Sequence, residues 1–271
     1  MTLNIWNTSH WRERRVEIVA WLERLDPHLV CLQEVVHLPD GRNQAVWLGD
    51  QAGYHAAFGP AFSGADGWAF GNAVLSRWPI DEHSTHALPH EPRADDAQRV
   101  IVHARTNGLD VFSTHLNWRT WDGALRQRQV AAIDHVVRRV ADPGSPLPPI
   151  IGGDFNAEPD STEIRYLAGL ASIDGESTYY QDAWRVAGGR EPGHTWDNRN
   201  TFAVLDLEPS RRIDYVLVGW RRDDGAGQVS SARVVCDTAL TGTFASDHFG
   251  LLTEITTTAT IMLSSSNGTQ T

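Results

Sequence analysis

Apolar runs of strand length, bounded by Gly or Pro and repeatedly ending in a carboxylate, an amide or an imidazole, constrain this chain more than any other feature. Leu29-Val30-Cys31-Leu32 stops at Gln33-Glu34, and comparable runs lie at Ala73 to Leu75, Val100 to Ala104, Val111 to Phe112 and Leu147 to Ile151. Others follow at Tyr215 to Val218, Val229 to Cys236 and Phe249 to Ile255, and a short opening strand is expected at Leu3 to Trp6. Runs this short are buried strands, not helices. Only two helical periodicities stand out. Val16, Val19, Leu22 and Leu25, with Ile18 and Trp21, give an apolar face, leaving Arg12, Arg14, Arg15, Glu17, Glu23 and Arg24 polar; Thr8-Ser9 reads as the cap and Asp26-Pro27 as the stop. The second runs from about Asp122 to Val140, where Val130, Ile133, Val137 and Val140 share a face and Asp142-Pro143-Gly144 ends it. Strands outnumber helices without strict alternation, which predicts an α/β fold of two mixed sheets packed on each other with helices outside.

Composition narrows the chemistry. All 23 basic residues among the 271 are Arg, so a Schiff-base lysine and a lysine-containing phosphate loop are excluded. The net charge of −11 argues against a polybasic membrane patch or nucleic-acid arm. Cys31 and Cys236 fit no zinc spacing and read as buried thiols. The first residues lack the pattern of an export signal and no run reaches the length of a membrane span, so a cytoplasmic protein without a transmembrane segment is expected. Residues 1–255 read as one domain, 256–271 as a Thr/Ser-rich, poorly ordered tail, and His83 to Gln98 as a polar surface loop.

The chemistry gathers where the runs end: Asn4 and Asn7, Gln33-Glu34, Thr114-His115-Leu116-Asn117, Gly152-Gly153-Asp154-Phe155-Asn156, Arg212-Ile213-Asp214-Tyr215 and Ser246-Asp247-His248. Strand ends that converge at one sheet edge form a cleft, and this set fills it with carboxylates, amides and two imidazoles. Singly, each has a plain alternative: Asn4 caps a turn, Glu34 pairs with an Arg, His115 is a half-buried histidine. Asp154-Phe155-Asn156 is harder to dismiss, because it sets a carboxylate and an amide on one side, with glycines allowing a ligand close approach. Hard oxygen donors without thiolates suit Mg²⁺ or Mn²⁺, and an imidazole held by a buried carboxylate is a general base.

In this order the segments resemble the endonuclease/exonuclease/phosphatase superfamily, and the resemblance runs from Asn4 to about Glu254. It implies a four-layer, DNase I-like α/β sandwich and metal-dependent phosphoester hydrolysis by an activated water. Carried over by residue, Glu34 would be the principal metal ligand, with Asn4 and Asp247 near it. Asp154 and Asn156 would orient the water and hold a phosphate oxygen, His248 would be the base polarised by Asp214, and His115 would donate to the phosphate.

Substrate identity is thinner. The Arg-Arg-Ile-Asp-Tyr segment departs from the Cys-Asp-Arg-Ile of inositol polyphosphate 5-phosphatases, while Thr195-Trp196-Asp197-Asn198 is similar to segments of tyrosyl-DNA phosphodiesterases and bacterial sphingomyelinases. A phosphodiester substrate, with nucleic-acid ends favoured, is expected; a phospholipid diester and a small soluble phosphoester are the alternatives, and no protein partner is indicated. Trp196, Arg199 and Asn200 are the expected leaving-group contacts, joined by the amides of Asn72 and Asn117. Trp68, Phe70, Trp118 and Trp121 could stack bases or enter a lipid interface, with core packing the plain alternative.

Overall fold

The computed structural model describes residues 1–91 and 98–257. In chain order the elements are β1 (Thr2–Asn4), α1 (Trp11–Leu25), β2 (Leu29–His37), α2 (Gln44–Ala52), β3 (His55–Ser63), β4 (Ala69–Ser76), β5 (Ile80–Ala87), β6 (Val100–Thr106) and β7 (Leu109–His115). There follow α3 (Gly123–Val140), β8 (Ile150–Asp154), α4 (Thr162–Leu167), β9 (Gln181–Asp182), α5 (Ala183–Ala187), a 3₁₀ turn (Ala203–Asp206), β10 (Asp214–Val218), β11 (Val229–Val235) and β12 (Gly250–Ile255).

The strands form two six-stranded sheets, β11-β12-β1-β2-β4-β3 and β5-β6-β7-β8-β10-β9. Each is mixed, with one parallel pair near its middle: β1 with β2 in the first, β7 with β8 in the second. Ile18, Trp21 and Leu22 of α1 and Leu48 of α2 cover the outer face of the first sheet, while Val130, Ile133 and Val137 of α3 cover that of the second. Between the sheets lie Cys31, Ala57, Val74, Val111, Ile150, Val216 and Leu251. The result is the expected four-layer DNase I-like sandwich.

Local departures from the sequence reading have identifiable causes. The opening strand ends at Asn4, because Trp6 and Asn7 turn into the left-handed region. Helix α1 begins after His10 without a side-chain cap; Ser9 and Thr8 are engaged instead by Asn7, whose Oδ1 accepts both backbone N–H groups. Strand β2 continues to His37 past a register shift at Glu34. The expected loop at His83 to Gln98 is a strand as far as Ala87, an edge strand whose polar side chains face solvent. Residues 92–97 of that loop and 258–271 of the tail lie outside the described residues. Both cysteines are buried and free.

Candidate active site

The second sheet builds half of the site by ladder register alone. Parallel pairing sets His115 opposite Asp154, and antiparallel pairing sets Asp154 opposite Asp214, so three adjacent strands present side chains at one level. His248 reaches this level through an isolated bridge to Trp196. Its Nδ1 lies 2.9 Å from Asp214 Oδ2, and its Nε2 3.8 Å from Asp154 Oδ2. The indole of Trp196 stands edge-on to the imidazole at 5.0 Å and holds the ring's plane. Across the cleft, His115 Nε2 is 3.4 Å from Asp154 Oδ2 and 3.0 Å from Asn156 Nδ2. The glycines before Asp154 serve packing and not ligand approach. A Cβ on Gly152 would meet Cys31 Sγ at 2.8 Å, and one on Gly153 would meet the Thr114 carbonyl at 2.4 Å.

The first sheet builds the other half through irregular backbone. Glu34 sits at the β2 register shift with φ of 58°, Asn7 has φ of 41°, and such conformations are costly for residues with a Cβ. They bring the Asn7 side chain onto Glu34 and Glu34 onto Asn4. The Asn4 amide reaches Glu34 Oε1 at 3.3 Å and Asp154 Oδ2 at 3.0 Å, bridging the two halves, while Asn7 donates to Glu34 Oε2 at 2.8 Å.

Two residues of α1 hold this arrangement from below. Arg14 is fully buried, and its guanidinium donates to the carbonyls of Ile5 (2.7 Å), Trp6 (2.9 Å) and Ser9 (2.7 Å from Nε) as well as Ala245 (3.0 Å). It therefore ties the segment bearing Asn4 and Asn7 to the segment bearing Asp247. Glu17, also buried, accepts the N–H groups of Leu240 and Thr241 and so pins the loop before Asp247. Both were read as outward polar residues, whereas Val16, placed on the apolar face, is 53% exposed.

The buried acidic groups of the site perturb one another. Burial, then the nearby Asp214, raises the Asp154 carboxyl to about 7; burial raises Asp247 to about 6, with Glu34 adding to it. Burial alone would lower His248, but Asp214, Asp154 and Asp247 outweigh it and raise the imidazole well above its ordinary value. His115 is held neutral, pushed well down by burial and by the charges of Arg99 and His248. Asp214 Oδ1 and His115 Nδ1 are buried without hydrogen-bond partners. Asp154, Asp214 and His248 approach closely enough to share a cation, with Nε2 the imidazole nitrogen left to ligate because Nδ1 is bonded to Asp214. The carboxylates of Glu34, Asp154 and Asp247, two of them bridged by the Asn4 amide, are hard oxygen donors of the kind that hold Mg²⁺ or Mn²⁺.

Residues 1–248 match the family model described as the endonuclease/exonuclease/phosphatase family. The chain belongs to this family. Nocturnin of Rattus norvegicus is 25% identical over 234 residues, covering 75% of this chain and 54% of the relative, so the chain spans about half the length of that protein. Among solved structures, the mannosyl-6-phosphatase of Bacteroides thetaiotaomicron superposes with a TM-score of 0.70 at 17% identity, over 94% of this chain and 98% of the other. Truncated TDP2 of Caenorhabditis elegans gives 0.62 at 20% identity, over 91% and 93%. At these identities the structural likeness speaks for the fold alone.

The fold brings together Asn4, Glu34, His115, Asp154, Asn156, Asp214, Asp247 and His248. Four of the five expected substrate contacts have internal occupations. Asn200 is buried, donating to the Ser246 carbonyl at 2.8 Å and accepting from the Phe202 N–H, so it braces the Asp247-His248 segment. Asn72 is buried on β4 and donates to the Val100 carbonyl, Trp196 is the wedge against His248, and Asn117 accepts the Arg119 N–H. Arg199 is paired with Asp197 at 2.9 Å with its side chain largely exposed. Asn7, Arg14 and Glu17 were given no site role in the sequence. The signal for Asn7 was its place in the opening motif; a buried Arg or Glu on an amphipathic helix leaves none.

Proposed function

We propose that this protein is a divalent-metal-dependent phosphodiesterase acting on nucleic-acid ends through in-line attack of an activated water. The observation that carries the hydrolytic reading is the buried Asp214–His248 pair, whose free Nε2 faces Asp154 beside an oxygen-donor cluster. A cation bound by Glu34, Asn4 and Asp247 would neutralise charge on the phosphoryl oxygens. Asp214 accepts from His248 Nδ1, which leaves Nε2 to take the proton of the attacking water, and its charge stabilises the imidazolium so formed. Asp154 and Asn156 orient that water and hold a non-bridging oxygen. His115, neutral, contributes a hydrogen bond at the phosphoryl group and no charge.

The preference for ends rests on charge. A chain of net charge −11 without lysine gains little from counterion release along a duplex, whereas a terminal diester asks for few phosphate contacts. One observation favours a lipid diester as the second reading: Leu205 and Leu207, beyond the Thr195–Asn200 segment, are 73% and 90% exposed. The test is hydrolysis of single-stranded DNA, duplex DNA, 5′-tyrosyl DNA, sphingomyelin and bis-p-nitrophenyl phosphate, side by side with Mg²⁺ or with excess EDTA. Metal-dependent turnover greatest on single-stranded or tyrosyl ends is expected. Turnover that survives chelation sinks the metal assignment, and a preference for sphingomyelin vesicles moves the protein to the second reading.

A further inference from the structure

Three and six residues beyond His115 the chain presents indoles to solvent, Trp118 at 50% and Trp121 at 73% exposure. Exposed tryptophans are costly unless something uses them, and here the backbone that carries them is held rigidly. The buried guanidinium of Arg126 donates to the carbonyls of Asn117, Arg119 and Thr120, and is itself fixed by Glu163 at 2.8 Å. Gln129 accepts the Asn117 N–H at 3.0 Å, and the Asn117 carboxamide accepts the Arg119 N–H at 2.9 Å. Between the rings lies Arg119, its guanidinium carbon 4.9 Å from the Trp118 ring and 5.7 Å from that of Trp121. This is an aromatic pair whose ordering cost has been met before any ligand arrives.

From this we infer that Trp118, Arg119 and Trp121 form a stacking platform for a flat ring attached to the scissile phosphate, that is, a nucleobase next to the cleaved bond. The inference rests on the phosphodiesterase reading above and gives it a specificity element. Extended chain covers at most about 3.3–3.6 Å per residue, so the Trp118 backbone lies no more than about 11 Å from that of His115, within reach of a group attached to the reacting phosphate. Stacking on such rings accepts any base, because every base has a π-face. A lipid surface fits less well, because a chain of net charge −11 without lysine offers no polybasic surface to accompany the indoles.

The test compares Trp118→Leu, Trp121→Leu and Trp118→Phe on three diesters: thymidylyl-(3′→5′)-thymidine, thymidine 5′-(methyl phosphate) and thymidine 3′-(methyl phosphate). Leucine keeps apolar area and removes stacking; phenylalanine restores a ring. The ratio of kcat/KM on the dinucleotide to that on the poorer methyl diester, the one lacking the stacked base, is expected to fall about 5- to 100-fold in either Leu variant, mostly through KM, and to recover in Trp118→Phe. An unchanged ratio in both Leu variants overturns the platform. So does loss of co-sedimentation with phosphatidylcholine–sphingomyelin vesicles in the Leu variants with dinucleotide cleavage intact, which would assign the indoles to a membrane. If the wild type cleaves none of the diesters, the functional reading has failed, and calorimetric binding of thymidine 3′,5′-bisphosphate decides the platform by itself: tight binding lost in both Leu variants supports it, and equal affinity refutes it.

Discussion

The two halves of the site are built by different physics. The second sheet places His115, Asp154 and Asp214 by strand register, with ordinary extended backbone and no strain, and needs only Gly152 and Gly153 to bring neighbours close. The first sheet places Asn7 and Glu34 by left-handed backbone at residues with side chains, and holds the result with a buried Arg14 and Glu17. Register orients imidazoles and carboxylates for proton transfer. Strained turns, by contrast, converge oxygen atoms on one point, which extended strands with alternating side chains do poorly. Breaking the first half should therefore cost both the cation and the fold, and breaking the second should cost chemistry and leave the fold.

The largest effects test that division directly. His248→Ala is expected to lower kcat by about 10²–10⁴ while the thermal midpoint stays near that of the wild type, measured by steady-state kinetics and calorimetry. Arg14→Met should instead cost about 3 kcal/mol or more of stability, because the carbonyls of Ile5, Trp6, Ser9 and Ala245 lose their donor inside the protein. In a chain of this size that lowers the midpoint by roughly 10 °C. Arg14→Lys should recover only part of it, since an ammonium cannot fork to so many acceptors. A stable Arg14→Met enzyme with native Mg²⁺ affinity would show that the first half needs no such support.

This contrast also explains what the sequence could show. Asp154 and His115 were legible because strand ends announce themselves as an apolar run followed by a polar residue, Asp214 because it opens the Tyr215 to Val218 run, and register does the rest. The two sheets and the long helix α3 were legible for the same reason of periodicity. Arg14 and Glu17 were not, because their spacing is that of a solvated helix face and only the tertiary fold brings backbone groups to meet them. The α2 helix (Gln44–Ala52) was also missed; its start is set by the Asn43 side chain capping Ala45 and Val46, a local cue without a long apolar stripe behind it. Asn200 misled in the opposite direction. A polar residue in a polar loop reads as available, but its amide is spent on Ser246 and Phe202.

A smaller effect sharpens the second half. Asp214→Asn should lower kcat by about 10- to 100-fold, less than loss of the base, because the amide still occupies the position but no longer stabilises the imidazolium. The sign of the pH shift follows. Asp214 raises the His248 pKa and the base must be neutral to act, so activity rises with pH through that pKa in the wild type. Removing the carboxylate charge lowers the pKa, and the acidic limb of the kcat profile should move to lower pH. An acidic limb that stays in place would mean that another group governs it.

The smallest expected effect isolates strain from charge at Glu34. Its φ of 58° lies where a residue with a Cβ pays about 1–2 kcal/mol and glycine pays almost nothing. Glu34→Ala and Glu34→Gly both remove the carboxylate and should be equally inactive, so they differ only in backbone cost and in the entropy of the unfolded chain. The strain relieved in glycine exceeds the roughly 0.4–1 kcal/mol that its freer unfolded state costs. Glu34→Gly should therefore be more stable than Glu34→Ala by up to about 1 kcal/mol, read from urea midpoints at unchanged slope. The opposite order would show that neighbouring Asn4 and Asn7, and not the backbone at Glu34, set the geometry of the first half. In that case Asn7→Gly, at φ 41°, becomes the substitution in which the stored strain should be sought.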